Sequence, residues 1–464
     1  MRKQYGGKLD RTTLHILEAG LFLVLLLFFV IFLLLLQYEH GRDYTYSPMV
    51  AISASAVPGI FPPKLPVLPN TPELSGETDK TVVLDAGTSQ QDPTASQQTN
   101  SLSGTDNSPD SDSPDIDRGL SDTQGKEAAL RQRAFDLLAG MSLEEKVGQL
   151  FMVRFPKEHA AQTAASYHLG GYILFARDFE NKSKEQVISA IQDCQDASQI
   201  PMLMGVDEEG GTVTRISRFP QFRQTPFPSP QELYRQGGFD AIRRDTLEKC
   251  SLLQELGLNM NFAPVADVSQ NADDFMYLRS FGQDADLTAE YVETVTAAMK
   301  EVHMGSVLKH FPGYGNNADT HTGIAYDGRT YESFVSSDFL PFQAGIQAGA
   351  PVVLVSHNIV SCMDSQYPAS LSPEVHKILR EELGFSGVII TDDLYMDGVR
   401  HFTSDTQAAV QAVLAGNDLL CCTDYEVQIP AVLEAVQNGT ISIERMNESV
   451  LRILLLKLSL GLWE

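Results

Sequence analysis

The feature that most constrains the fold is an alternation of short apolar runs with amphipathic stretches between residues 126 and 464. Eight of the runs have the length of buried strands, and stretches with helical periodicity lie between most of them. The runs cover residues 148–154, 171–176, 201–206, 258–266, 306–310, 351–356, 387–391 and 417–422, and the amphipathic stretches cover 183–198, 241–256, 288–303, 372–383 and 426–437. This alternation predicts an α/β fold, a (β/α)8 TIM-like barrel. A doubly wound open sheet is the alternative, but no GxGxxG follows the first run.

Polar or ionisable residues stand at the ends of all the predicted strands except the first two and the last. These residues are Asp207, Asp267, Lys309–His310, His357 and Asp392–Asp393. Active sites of such barrels form at the carboxyl ends of the strands. We therefore expect a site at one end of the barrel.

The segment from Lys309 to His321, KHFPGYGNNADTH, combines three kinds of potentially catalytic group. Lys309 and His310 end an apolar run, and Asp319 and His321 stand two positions apart. Histidine titrates near neutral pH, and an adjacent carboxylate fixes its tautomer and raises its basicity. The pattern predicts a site that binds a polar ligand and moves a proton; an ordinary polar surface loop is the alternative.

Several segments together resemble glycoside hydrolase family 3, and within it the single-domain β-N-acetylglucosaminidases. The resemblance follows the order of the chain and covers nearly all of residues 140–425. The matching segments are GGYILFARDF (170–179), GVDEEGGTVTRI (205–216), NFAPVADV (261–268), RSFG (279–282), KHFPGYG (309–315) with ADTH (318–321), and GVIITDDLYMDGV (387–399).

The resemblance implies a retaining mechanism with Asp392 as the nucleophile. It also implies that His321, on a mobile loop and backed by Asp319, is the general acid/base. Asp393 is more simply interpreted as a structural acid in the turn. A histidine donor becomes neutral when it gives up its proton, so it places no second negative charge opposite the carboxylate nucleophile.

The resemblance further implies a set of residues that hold sugar hydroxyl groups: Asp207, Arg215, Arg279, Lys309 and His310. A salt bridge at the barrel rim is the alternative role for Arg215 and Arg279. We expect Asp267 to brace a strand end or a neighbouring arginine. For His357, a supporting position and direct contact with the ligand are both open.

Two features depart from the family pattern. Tyr314 stands where the family usually has histidine, which keeps a hydroxyl donor but loses a titratable ring. We expect no second α/β domain after the barrel, whereas the family's larger β-glucosidases take their acid/base from that domain. We therefore expect the proton donor to come from the barrel's own loops.

The N-terminal part of the sequence predicts a membrane anchor. Residues 19–36 carry no charge, and the extended apolar segment 14–37 is long enough to cross a bilayer as a helix. Four basic residues precede it, so the tail 1–13 is expected in the cytoplasm and the rest outside it. A cleaved signal peptide is the alternative, but its apolar core is normally shorter. Residues 38–125, rich in Ser, Thr, Pro, Asp and Gln, predict a disordered acidic stalk.

Charge and cysteine content narrow the possible partners. The formal net charge of −26 argues against a nucleic-acid partner, since phosphate binding needs a basic face. The five cysteines are scattered and have no zinc spacing. No metal or organic cofactor is implied.

Together these observations predict a membrane-anchored, extracytoplasmic exo-β-N-acetylglucosaminidase with the catalytic barrel at residues 126–464. Its expected partner is a glycan substrate, such as peptidoglycan fragments that carry terminal N-acetylglucosamine. The alternatives left open are a β-glucosidase or glycoside phosphorylase of the same family, a metal-dependent barrel hydrolase, and a non-catalytic domain that binds wall glycan.

Overall fold

A computed structural model describes residues 115–317, 323–422 and 424–463 of the chain. Its strands are β1 (Phe151–Arg154), β2 (Gly171–Leu174), β3 (Leu203–Val206), β4 (Met260–Asn261), β5 (Gly305–Phe311), β6 (Tyr326–Asp327), β7 (Val352–Val355), β8 (Ile359–Val360), β9 (Val388–Thr391) and β10 (Leu420–Cys422). Its α-helices are α1 (Asp115–Gly140), α2 (Leu143–Gln149), α3 (Ala160–Tyr167), α4 (Ala176–Phe179), α5 (Lys184–Ala197), α6 (Pro230–Glu255), α7 (Ala285–Glu301), α8 (Tyr331–Ser333), α9 (Phe339–Ala348), α10 (Pro373–Lys377), α11 (Asp397–Arg400), α12 (Asp405–Ala415), α13 (Tyr425–Gln437) and α14 (Ile443–Ser459).

Eight of the strands form one parallel sheet in the order β10-β1-β2-β3-β4-β5-β7-β9. The first and last strands of this order, β10 and β9, are also neighbours. Ile390 in β9 forms a parallel bridge with Leu419, which lies just before β10. The sheet therefore closes on itself, and the predicted TIM-like barrel is confirmed. The carboxyl ends of all eight strands lie at one end of the barrel, where loops can build a site.

The barrel interior is apolar because its strands consist almost entirely of buried aliphatic residues. All four residues of β2, β3, β7 and β9 are buried, which is the pattern of strands covered on both faces. Such continuous apolar runs are what made the eight strands recognisable in the sequence. Each predicted run overlaps one observed strand.

The start of β1 differs from the prediction. Residues 148 and 149 belong to helix α2, and β1 begins only at Phe151. A capping box opens this helix, with Ser142 and Glu145 each accepting a hydrogen bond from the other's backbone N–H. The last residues of the helix, Val147 to Gln149, are buried like the strand that follows, and the predicted run therefore began inside the helix.

The helix α1 starts at Asp115, inside the segment 38–125 that the sequence predicts as a stalk. Its later part packs against the barrel through Ala134 and Leu138, which are buried. Once a helix is nucleated, each further residue adds a hydrogen bond at little cost, so extension beyond the packed part is expected. The rest of the predicted stalk, the predicted membrane anchor 14–37 and the tail 1–13 lie outside the described residues. Within the described ranges, no helix has the length and apolarity needed to cross a membrane.

A network of buried charged side chains stabilises the end of the barrel opposite the carboxyl ends of the strands. Asp418, just before β10, is fully buried and pairs with Arg380, Arg445 and Arg452. It also accepts a hydrogen bond from the backbone N–H of Ile389 in β9. This network ties the two closing strands to the surrounding helices, away from the predicted catalytic groups.

Candidate active site

The largest group of charged side chains at the carboxyl ends of the strands is centred on Lys309, at the end of β5. Its Nζ lies 2.6 Å from Asp207 Oδ1 and 2.6 Å from Glu209 Oε1. Glu209 also receives two hydrogen bonds from Arg279, from Nε at 3.1 Å and from Nη2 at 2.7 Å. We call these four residues the charged cluster. It joins the loop after β3, the loop after β4 and strand β5 into one rigid unit.

The charges of the cluster stabilise one another. Burial opposes ionisation of Glu209, but Arg279 and Lys309 outweigh it and hold the pKa of that carboxyl below its usual range. Burial likewise disfavours the charged form of Arg279, yet the nearby Glu209 carboxylate raises its pKa above the ordinary value. Glu209 and Arg279 therefore stay ionised, and the cluster presents fixed donors and acceptors, which suits recognition of a polyhydroxylated ligand.

Glu209 reaches the cluster because its neighbour Glu208 holds the loop after β3. Glu208 is fully buried and accepts hydrogen bonds from the backbone N–H groups of Arg215 and Ile216 and from the hydroxyl of Ser217. The side chain of Asn261, in β4, bonds both the backbone N–H and the carbonyl of Glu208. Burial raises the pKa of Glu208. Two adjacent glutamates thus have different tasks, one inside the loop and one in the site.

His310 follows Lys309 and is held by Asp267, at the end of β4. The Nδ1 atom of His310 lies 2.7 Å from Asp267 Oδ2, and the backbone N–H of Tyr314 donates to Asp267 Oδ1. The ring of Tyr314 is buried and meets the His310 ring edge-on, with centroids 5.7 Å apart. The prediction that Asp267 braces a strand end is confirmed. With Nδ1 engaged, Nε2 faces Arg279 Nη2 at 3.5 Å.

Asp392 stands directly after β9, where its backbone N–H donates to the carbonyl of Val355 in β7. The next residue, Asp393, accepts a hydrogen bond from the backbone N–H of Tyr395 and so closes the turn. His357 is fully buried and contacts the carbonyl of Asp393 through Nε2 at 3.0 Å. Asp393 thus has the structural role that the sequence favoured. Of the two roles left open for His357, the structure shows the supporting one.

The predicted acid/base residues Asp319 and His321 lie outside the described residues, but both flanks of their segment are described. The side chain of Asn317 donates to Asp327 Oδ2 at 2.7 Å. Arg329 pairs with Asp327 and with Asp338, and also donates to the carbonyl of Gly313. One guanidinium therefore ties the chain before the segment to the chain after it.

The glycines of this region are required by these contacts. Gly313 has φ +125°, and a side chain there would collide with the carboxylate of Asp338. Gly315 has φ +55°, and a side chain there would meet the guanidinium of Arg329. Both conformations lie in the region that favours glycine.

The comparisons with known proteins agree with this arrangement. The model of the glycosyl hydrolase family 3 N-terminal domain matches residues 142–456, which contain the whole barrel. The chain belongs to glycoside hydrolase family 3. The predicted family is therefore confirmed, as is the predicted enzyme class, a glycoside hydrolase related to the β-N-acetylhexosaminidases.

Individual relatives of this family 3 chain carry matching names. It is 34% identical over 280 residues to a β-hexosaminidase of Stenotrophomonas maltophilia, covering 59% of this chain and 82% of the relative. It is 28% identical over 346 residues to β-hexosaminidase A of Pseudoalteromonas piscicida, with 67% of this chain and 56% of the relative covered. A solved family 3 β-N-acetylglucosaminidase from Paenibacillus has a TM-score of 0.65 and 32% identity, with 69% and 63% covered. The chain thus spans less than two thirds of the last two relatives.

The structure brings most of the sugar-binding residues predicted for this family 3 chain together. Asp207, Arg279 and Lys309 belong to the charged cluster, and His310 adjoins it. The salt bridge considered for Arg279 is present, with Glu209 as partner. Arg215 forms no salt bridge with a described residue; its guanidinium lies 5.8 Å from the centre of the Phe175 ring. Contact of these residues with a sugar stays a prediction.

Sequence reasoning missed three residues of the site. Glu209 was not singled out, although the GVDEEGG segment was quoted for the resemblance. Arg329 was also missed, because its partners in the sequence are spread over residues 313–338. The third is Arg154, which ends β1, so the expectation that the first strand carries no ionisable residue at its end is wrong. Among the residues that the structure describes, no group of three or more His, Cys, Asp and Glu side chains is arranged to hold a metal ion.

Proposed function

We propose that this chain is a retaining exo-β-N-acetylglucosaminidase that removes terminal β-linked N-acetylglucosamine from glycans. One observation carries the proposal. Asp392 and the Lys309–His310 pair lie at the carboxyl ends of two strands of the same closed barrel, and therefore at the same end of the barrel. Family membership and the names of the relatives support the same reaction.

In the first step, the Asp392 carboxylate attacks the anomeric carbon of the sugar. The bond between that carbon and the glycosidic oxygen breaks, and His321 in its protonated form gives its proton to the departing oxygen. The products are an ester between the sugar and Asp392, a neutral imidazole, and the released alcohol. Asp319 stabilises the charged form of His321 before transfer.

In the second step, a water molecule attacks the same carbon from the face that the leaving group vacated. The neutral His321 takes a proton from this water, and the bond to Asp392 breaks to restore the carboxylate. Two displacements at one carbon retain the β configuration. The fixed turn made by Asp393 and His357 keeps the nucleophile in position throughout.

The charged cluster would bind the sugar's hydroxyl groups. Asp207 is its most accessible acid, with 15% of the side chain exposed, whereas Glu209 and Lys309 are almost fully buried. Asp207 and Arg279, with 15% and 19% of their side chains exposed, are therefore the members of the cluster that a ligand can reach most directly. Glu209 would act from behind them, by fixing Lys309 and Arg279.

We further propose that the natural substrates are peptidoglycan or fragments derived from it. This part rests on the predicted membrane segment 14–37, which would place the barrel outside the cytoplasm. Protease accessibility of the barrel in spheroplasts, whose cytoplasmic membrane is intact, tests the placement. Degradation of the barrel only after lysis of that membrane would contradict it.

A direct test uses a chromogenic N-acetylglucosaminide and the variant Asp392→Ala. We expect hydrolysis by the wild-type protein, the β anomer as first product, and loss of at least about 10³-fold in kcat for the variant. A fluorosugar that traps the glycosyl-enzyme should label Asp392. Label on another residue, or the α anomer as first product, would refute the mechanism.

A further inference from the structure

Two arginines lie around one aromatic ring at the carboxyl ends of β1, β2 and β3. The guanidinium carbon of Arg154, at the end of β1, lies 4.4 Å from the centre of the Phe175 ring, and that of Arg215 lies 5.8 Å from it. Arg154 Nη2 is 3.7 Å from Asp393 Oδ2, beyond normal hydrogen-bonding distance. Arg154 thus adjoins the turn that carries the proposed nucleophile.

The two guanidinium groups are engaged far less than the other cations of the site. The Nε atom of each is buried and has no hydrogen-bond partner among the described residues. By contrast, Lys309 contacts two carboxylates at 2.6 Å, and Arg279 holds Glu209 through two nitrogens. A buried donor without a partner is costly, which favours a ligand that supplies one.

A guanidinium is a planar fork of donors that matches two oxygens of a carboxylate or a phosphate. A neutral sugar hydroxyl supplies only one oxygen and no charge. The contact with the Phe175 ring holds the guanidinium of Arg154 in place without consuming its donors, and 38% of the side chain remains exposed. The arrangement is therefore suited to an oxyanion that arrives from solvent.

We propose that Arg154, with Arg215 beside it, forms a binding site for an oxyanion next to the nucleophile. The inference rests on the proposed glycosidase function and narrows its substrate class. The oxyanion is a carboxylate on the leaving sugar or an inorganic phosphate that opens the glycosyl-enzyme in place of water. In the second case, a phosphate oxygen forms the bond to the anomeric carbon, the bond to Asp392 breaks, and the product is a sugar 1-phosphate.

The first arm of the test compares two disaccharides with the same terminal sugar. One is N-acetylglucosamine β-1,4-linked to N-acetylglucosamine, and the other is linked to N-acetylmuramic acid, whose lactyl group carries a carboxylate. We expect the wild-type protein to favour the second by about tenfold in kcat/KM, and Arg154→Met to reduce this ratio to about one. A ratio between substrates cancels any loss of folded protein. Arg154→Lys keeps the charge but loses the fork, so it should give an intermediate ratio.

Arg400 offers a matched control. It stacks on Tyr395 at 4.1 Å, pairs with Asp405 at 3.4 Å, and is 37% exposed, which is close to the surroundings of Arg154. Arg400→Met should leave the ratio between the two disaccharides at the wild-type value. An equal fall in both variants would show a general electrostatic effect and overturn the assignment to Arg154.

The second arm adds inorganic phosphate to a neutral chromogenic substrate at constant ionic strength. If phosphate is the ligand, the wild-type protein should form N-acetylglucosamine 1-phosphate, and Arg154→Met should form at least about tenfold less relative to free sugar. The inference is overturned if Arg154→Met changes neither the disaccharide ratio nor the phosphate product. Absence of cleavage of every N-acetylglucosaminide by the wild-type protein would instead refute the proposed glycosidase function.

Discussion

Replacing Glu209 by glutamine should weaken both the fold and the activity, although the two side chains have nearly the same shape. The wild-type carboxylate accepts two hydrogen bonds from Arg279 and contacts Lys309, with only 4% of its side chain exposed. Removing one partner of a buried ion pair costs about 3–5 kcal/mol. Lys309 keeps Asp207 at 2.6 Å, so the loss should lie near the lower limit, at about 3 kcal/mol.

The free energy of unfolding can be measured by urea titration followed by circular dichroism. The kcat/KM on a chromogenic N-acetylglucosaminide can be measured at a temperature where the wild-type protein and the variant are both folded. In the variant, Arg279 loses its carboxylate partner and Lys309 keeps only Asp207, and a shift of about 1 Å in such groups can cost about 10²-fold in rate. The control is Glu301→Gln, which removes the charge from an exposed pair with Arg243 and should cost at most about 1 kcal/mol. If Glu209→Gln and Glu301→Gln destabilise the protein equally, the role assigned to the charged cluster is wrong.

Three further substitutions test other parts of the molecule. Burial lowers the pKa of Lys457 from its ordinary 10.5 to about 7. The contribution of Lys457 to the free energy of unfolding should therefore be most favourable above the unfolded-state pKa. It should fall as the pH decreases towards about 7, by up to about 1.4 kcal/mol per pH unit. Lys457→Met should show a flatter slope in urea titrations across this range, and equal slopes would contradict the argument. Arg329→Met should lower kcat at least about tenfold, because it removes the contacts that join the chain before and after the segment with the proposed proton donor. An unchanged kcat would show that Arg329 does not position this segment. Asp418→Asn should cost about 3–5 kcal/mol in the free energy of unfolding yet leave KM unchanged below the unfolding temperature, since Asp418 lies at the opposite end of the barrel; a raised KM would count against that separation.

The parts of the fold that the sequence predicted are those with a local signal. Strands such as β7 and β9 are runs of buried aliphatic residues, and helices such as α5 lie within stretches of helical periodicity. Both signals come from neighbouring residues. Between α2 and β1, where buried residues continue from the helix into the strand, the boundary moved by a few residues.

Some residues of the site were identified from the sequence, and others were not. Asp207, Lys309 and Asp392 were found because a polar residue after an apolar run marks the carboxyl end of a strand. Glu209 was missed because nothing in the sequence distinguishes it from Glu208. One of the two is enclosed by backbone N–H groups of its own loop, and the other meets Arg279 from a different loop.

The sequence by itself determined the kind of fold and the end of the barrel at which chemistry can occur, because hydrophobic periodicity and strand ends are properties of neighbouring residues. Only the tertiary structure decided which charges meet: Glu209 with Lys309 and Arg279, and Arg154 with Arg215 around Phe175. Those meetings depend on the register of eight strands and on side chains packed from separate loops. Residues far apart in the chain acquire a common environment only when the barrel closes.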